Sequence, residues 1–202
     1  MRKITAFVSA LLVASTYASH HTHTVSDWPA IKTHTTFKTS AVVNTWDGKT
    51  LKPYQGATAN VLVDSERNKA IAHAKVSVPV FGKVDAHVLL DFTKGALLLN
   101  VPFISLCQQV PMDKISVKDV LTELFNPNGK LTTYVGETPA PWDAKTKSWK
   151  FNSHYDFVFN NTKQTAQIDT YFAQATQDLK WLHLATMGFA IQLTNGLQPA
   201  TF

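Results

Sequence analysis

The chain has 202 residues, 45% of them hydrophobic and 16% charged, with a formal net charge of +5. That length and balance exclude a disordered chain and suit one globular domain with its own core. Lysines and arginines are scattered singly rather than gathered in a stripe with aromatics between them, so nucleic acid is not an expected partner.

The N-terminus has the three parts of a signal peptide. Arg2 and Lys3 precede an apolar run over 4–14 that is too short to span a bilayer. Thr16 and Ala18 then place small residues at the −3 and −1 positions of a cleavage site. The expectation is a signal peptide over 1–18, cut after Ala18, and a secreted or extracytoplasmic protein. Residues 19–25 are rich in histidine, lack a hydrophobic period and are expected to form a flexible tail. Cleavage would leave Ser19, His20 and His21 at the front of the chain. A free amine, two backbone amides and an imidazole would then make a square-planar site suited to Cu(II) or Ni(II), with His23 as a spare ligand. A solvated polar tail is the alternative reading of the same histidines. Cys107 is the only cysteine, so no internal disulfide is expected. Its apolar neighbours Phe103, Ile104 and Leu106 predict a buried thiol.

The single domain is expected over 26–202. Residues 32–46, rich in Thr, Val and Phe, suit a first long strand ending at the Asp47-Gly48 turn. A loop is expected at Pro53-Tyr54-Gln55-Gly56. Four alternating runs follow over 57–101. In one of them Ala70, Ala72, Ala74 and Val76 share a face, opposite Lys69, His73 and Lys75. In the next, Val84, Ala86, Val88 and Leu90 oppose Lys83, Asp85 and His87. A period of two with this polarity predicts half-buried strands, and the short links between them predict antiparallel hairpins. A turn at Phe81-Gly82 would pair Val76 with His87 and leave His73 offset from it by three positions, a poor pair of metal ligands.

Pro102 and Pro111 bracket a stretch that does not suit a central strand. Ser116 and Asp119 make an approximate capping box for a helix over 116–125, whose apolar stripe is Val117, Val120, Leu121 and Leu124. Strands resume over 131–135. A proline-rich loop precedes the strongest strand, in which Trp149, Phe151, Tyr155, Phe157 and Phe159 share a face. Asn160 begins an Asn-Asn-Thr glycosylation sequon at the next turn, which matters if the source is eukaryotic. Further strands are expected near 166–173, 179–187 and 189–194.

These elements describe an all-β domain with one or two short helices. The expected form is a large curved antiparallel sheet, a half-barrel with a helical lid; a β-sandwich is the alternative. No nucleophile-elbow, zinc-protease or phosphate-loop motif occurs. The carboxylates Asp85, Asp91, Asp156 and Asp169 fall on polar strand faces, where solvated groups are expected.

As a pattern over residues 30–195, the exported, disulfide-free meander with short covering helices resembles the lipoprotein-carrier half-barrels of bacterial envelopes. It also resembles the ependymin-like secreted proteins of animals. The resemblance implies a hydrophobic or lipidated ligand on the concave face. The expected function is a non-enzymatic carrier or binding protein for an apolar small molecule or lipid, with a transient membrane or protein partner. A secreted structural or cell-surface interaction module is the second reading, and a hydrolase without a recognisable motif the third. The ligand site is expected to use Ala70, Ala72, Ala74, Val76, Val84, Ala86, Val88 and Leu90, faced by Trp149, Phe151, Tyr155 and Phe157. Val120, Leu121 and Leu124 would close one end. The small alanines are the residues expected to leave space.

Overall fold

The computed structural model describes residues 28–159 and 161–200. The expected signal peptide, the histidine tail with Ser19, His20 and His21, and the sequon residue Asn160 lie outside the described residues. The strands form one curved antiparallel sheet, not a sandwich. Its first half is a meander of β1 (Phe37–Trp46), β2 (Leu51–Asp64), β3 (Lys69–Val78), β4 (Gly82–Asp91), β5 (Ala96–Val101) and β6 (Leu106–Pro111). Its second half is a meander of β7 (Thr132–Glu137), β8 (Ser148–Phe159), β9 (Thr162–Ala173), β10 (Leu179–Leu184) and β11 (Phe189–Leu193). The halves meet where β1 pairs with β11, which leaves β6 and β7 as the two edges. A short β12 (Gln198–Pro199) pairs with the start of β1.

Aspartates set several of the turns. Asp47, Asp64 and Asp91 each accept hydrogen bonds from backbone N–H groups two or three residues ahead, which closes Asx-type turns. Asp91 is buried and also pairs with Lys69 at 3.7 Å, so it is a turn cap rather than the solvated carboxylate expected. Residues 53–56 are not a separate loop. They belong to β2, where Gln55 and Gly56 have φ of 50° and 60° and the β1–β2 register shifts between Val42 and Asn44, a bulge that bends the long strand.

The alternation over β3 and β4 is as the sequence predicts. Ala70, Ala72, Ala74, Val76, Val84, Ala86, Val88 and Leu90 are all buried. The register between the two strands differs, because the turn centres on Val80 and not on Phe81-Gly82. Pro79 presets the turn, Val80 takes φ 76°, and the Phe81 N–H donates to the Val78 carbonyl at 3.1 Å. His73 therefore lies directly opposite His87, with the rings stacked at 4.5 Å.

A row of alanines crosses four strands: Ala41 pairs with Ala59, Ala59 with Ala74, and Ala74 with Ala86. All four are buried within the main core. Small side chains at paired positions let neighbouring elements approach closely on this face. An added ring there should overpack the core. Ala72→Phe is expected to cost about 1–3 kcal/mol in chemical denaturation; an unchanged midpoint would show that a void exists beside Ala72.

Candidate functional site

The one link between the meanders that is not a hairpin is residues 112–131, which leave edge β6 and return at edge β7. This link carries α1 (Val117–Leu124). Ser116 caps the helix, its hydroxyl accepting from the Asp119 N–H at 3.2 Å. Eight residues are too few for a stable helix in isolation, so α1 depends on what its apolar stripe touches. Val117 is buried, while Val120, Leu121 and Leu124 are only half-buried.

Backbone contacts hold the link in place. The Met112 N–H donates to the Gly95 carbonyl at 2.9 Å. Gly95 has φ 67°, and a Cβ there would come within 2.6 Å of the Met112 carbonyl oxygen, so only glycine allows this approach. The Asp113 carboxylate accepts from the Val158 N–H on β8 at 2.7 Å, which ties the end of β6 to a strand beside the opposite edge. Asn68 clamps the start of α1 from both sides. Its Nδ2 donates to the Ile115 carbonyl at 2.6 Å, and its Oδ1 accepts from the Val117 N–H at 2.7 Å.

Beneath α1 lies a cavity of about 120 Å³. The link contributes Ile115, Val117, Val120, Leu121, Leu124 and Phe125. The sheet contributes Phe37, Thr39, Val61 and Val63 from β1 and β2, and Thr132 from β7. Phe151, Ser153 and Tyr155 come from β8, Ile168 and Thr170 from β9, and Leu179, Leu182 and Leu184 from β10. Leu193 and Leu197 complete the lining. Every one of these side chains is apolar or carries a hydroxyl, and none is an acid, a base or an amide. An edge-on contact between Phe125 and Phe172, 6.0 Å between ring centres, fastens the far end of the helix to β9.

Of the residues predicted to bind ligand, Val120, Leu121, Leu124, Phe151 and Tyr155 meet around this cavity. The eight inward residues of β3 and β4 are buried in the core but do not line it. Trp149 is half-buried against that core. Phe157 falls within β8, but its side chain lies outside what the structure describes. The cavity sits further along the sheet, under the junction of the two meanders. Sequence reading missed Phe37, Thr39 and the β10 leucines. The first two alternate with Ala41 and Val43 and were legible as a face. The register of β10 shifts between Leu179 and Trp181, which hides its period.

Besides the single hydroxyls of Thr39 and Thr170, Thr132, Ser153 and Tyr155 form a polar spot in the apolar wall. The Thr132 and Ser153 hydroxyls bond each other at 2.8 Å. Tyr155 is 2% exposed, and its hydroxyl, beside that pair, has no hydrogen bond of good geometry. Leaving a buried hydroxyl unpaired costs about 1–3 kcal/mol. Burial, opposed in part by the nearby Ser153 and Thr132 hydroxyls, pushes the Tyr155 phenol well above its usual range, so it stays protonated.

A second cluster occupies the opposite face of β8–β10. Asp169 accepts from Asn152 Nδ2 at 2.6 Å, and lies 3.0 Å from Lys150 Nζ and 3.4 Å from His183 Nδ1. Burial raises its pKa, but hydrogen bonds from His183, Asn152 and Lys150, with the Lys150 charge, outweigh it and hold the carboxyl at about 2. Asp169 is thus a buried, shared carboxylate rather than a solvated one. Trp142, from the proline-rich loop, lies against Trp46, Tyr171, Trp181 and His183. No hydroxyl or thiol is hydrogen-bonded to His183 among the described residues. Cys107 lies on edge strand β6 and is exposed, not buried, because the residues around it face solvent on an unpaired edge. Among the described residues no group of three or more His, Cys, Asp or Glu could hold a metal ion. No helix there is long and apolar enough to cross a membrane.

The Asn68 clamp makes a local prediction. Asn68→Ala removes two hydrogen bonds to the start of α1, each worth about 1 kcal/mol. Amide exchange over 115–121 should speed up by about tenfold or more, with β2–β4 unchanged. Equal exchange in parent and variant would show that Asn68 does not hold the link.

No family model matches the chain, and no curated protein matches it in sequence.

Proposed function

We propose that the chain is an exported, non-enzymatic carrier or binding protein for a hydrophobic or lipid-like ligand. The observation that carries this reading is the cavity under α1, walled only by apolar and hydroxyl-bearing side chains. Preformed, mostly apolar hollows with a few polar groups are the usual form of small-molecule sites. At about 120 Å³ the hollow is near the size of an engineered cavity of about 150 Å³ that stays dry and binds benzene. A longer chain therefore enters only as α1 moves outward. The half-burial of Val120, Leu121 and Leu124 supports such a movement, since little apolar area must be exposed to release them.

An exposed apolar tip supports a transient membrane or protein contact. Val80 is 98% exposed at φ 76°, a conformation that costs a β-branched residue energy. Phe81 beside it contacts Phe103 edge-on at 5.5 Å, and Ile104 is also exposed. Lys83, close to this tip, forms no ion pair among the described residues. The same tip is what favours the second reading, a secreted interaction module. The hydrolase reading has less support, because among the described residues the His183–Asp169 pair has no hydrogen-bonded hydroxyl or thiol to activate.

Protein prepared without detergent is expected to take up diphenylhexatriene saturably, with a rise in fluorescence. Leu121→Asp, which places a charge on the cavity face of α1, should reduce that uptake by about tenfold or more. Absence of uptake, together with no co-purifying apolar mass in native mass spectrometry, would overturn the carrier reading.

A further inference from the structure

The cavity is apolar over nearly all of its wall, yet one of its lining residues carries a fully buried hydroxyl without a well-formed hydrogen bond. Tyr155 lines it, is 2% exposed, and its Oη, close to the Ser153 and Thr132 hydroxyls, makes no hydrogen bond of good geometry. Thr132 and Ser153, also in the lining, satisfy each other at 2.8 Å. That bond uses one of their two hydroxyl hydrogens and leaves the other as a second donor at the same spot. We infer that the cavity selects an apolar ligand with one uncharged, hydrogen-bond-accepting head group, which the Tyr155 hydroxyl binds beside the Thr132–Ser153 pair. This inference rests on the carrier reading and adds its specificity.

An acceptor head group suits the site, because the protonated phenol and the spare Thr132 or Ser153 hydrogen are both donors. It must be uncharged, because among the described residues no cationic side chain lines the cavity to offset an ionised carboxylate or phosphate. Thr39 does not compete for the role, since its hydroxyl already donates to Asn195 Oδ1 at 3.2 Å. A fatty alcohol, an acyl ester or an acyl amide meets these conditions. An ionised fatty acid and a plain alkane do not. A site built to bond a polar group discriminates strongly against an analogue that lacks it, whereas purely apolar walls discriminate weakly.

The test uses the full mature chain loaded with diphenylhexatriene, displaced by three competitors of equal chain length: dodecanol, laurate and dodecane. At pH 7 dodecanol is expected to displace the probe at about tenfold lower concentration than dodecane or laurate. Acidification, which protonates laurate, should bring it close to dodecanol. In Tyr155→Phe the advantage of dodecanol over dodecane should fall by about tenfold, with dodecane unchanged. The variant removes an unpaired buried hydroxyl, so its thermal unfolding should be at or above that of the parent. If the variant does not fold, the three competitors on the parent chain decide the matter alone. Probe binding with equal displacement by all three at pH 7 overturns the head-group inference and leaves the carrier reading standing. An unchanged dodecanol advantage in folded Tyr155→Phe overturns the role of Tyr155. Failure of the probe and of every competitor to bind overturns both readings.

Discussion

An open sheet has two edges whose backbone groups lack a strand partner, and here one covalent link joins them. Residues 112–131 start at edge β6 and end at edge β7, and this connection passes over the inner face, where α1 lines the cavity. Everything about the candidate site follows from that constraint. The link is pinned where it departs, through Met112 to Gly95, Asp113 to the Val158 N–H, and Asn68 to the backbone on both sides of Ser116. Beyond those pins, α1 is held by the Lys118–Glu66 ion pair, by buried Val117, by Phe125 against Phe172, and by the half-buried Val120, Leu121 and Leu124.

The inner face is divided accordingly. Under β1–β4 the row of buried alanines lets the sheet pack closely. Under α1, larger side chains from β1, β2 and β7–β11 surround the hollow. Space arises where a helix bridges a concave surface without filling it, and this depends on the helix position, not on small side chains below. The outer face of the second meander is stiffened differently. There the Asp169 carboxylate gathers Lys150, Asn152 and His183 from neighbouring strands, and Trp142 covers them. Breaking one partner of such a buried set is costly, which favours a structural role for the cluster.

Much of the fold was legible in local pattern. The period of two over β3 and β4, the cap and stripe of α1, and the exclusion of the Pro102–Pro111 stretch from a central strand all rest on neighbouring residues, where sequence speaks directly. What was not legible depends on pairing at a distance. The meeting of β1 with β11 brings residues about 150 positions apart into register, and it decides where the cavity lies; no local signal announces it. The stacking of His73 on His87 turned on a turn centred one to two residues earlier than the Phe81-Gly82 signal suggested. Asp169 looked like a solvated strand carboxylate because its partners come from two other strands and a separate hydrogen-bond register. Cys107 looked buried because its neighbours are apolar, but an edge strand exposes apolar residues that a central strand would cover.

The central claim is that ligand occupies the hollow between α1 and the junction of the two meanders. A crystal structure of the protein grown with 1-bromododecane, read through the anomalous signal of bromine, tests it most directly. The account predicts a bromine peak or alkyl density bounded by Leu121, Leu124, Phe151 and Tyr155, with α1 displaced outward. Alkyl density lying on β3 and β4, or a saturated crystal in which the hollow stays empty and α1 unmoved, would contradict it.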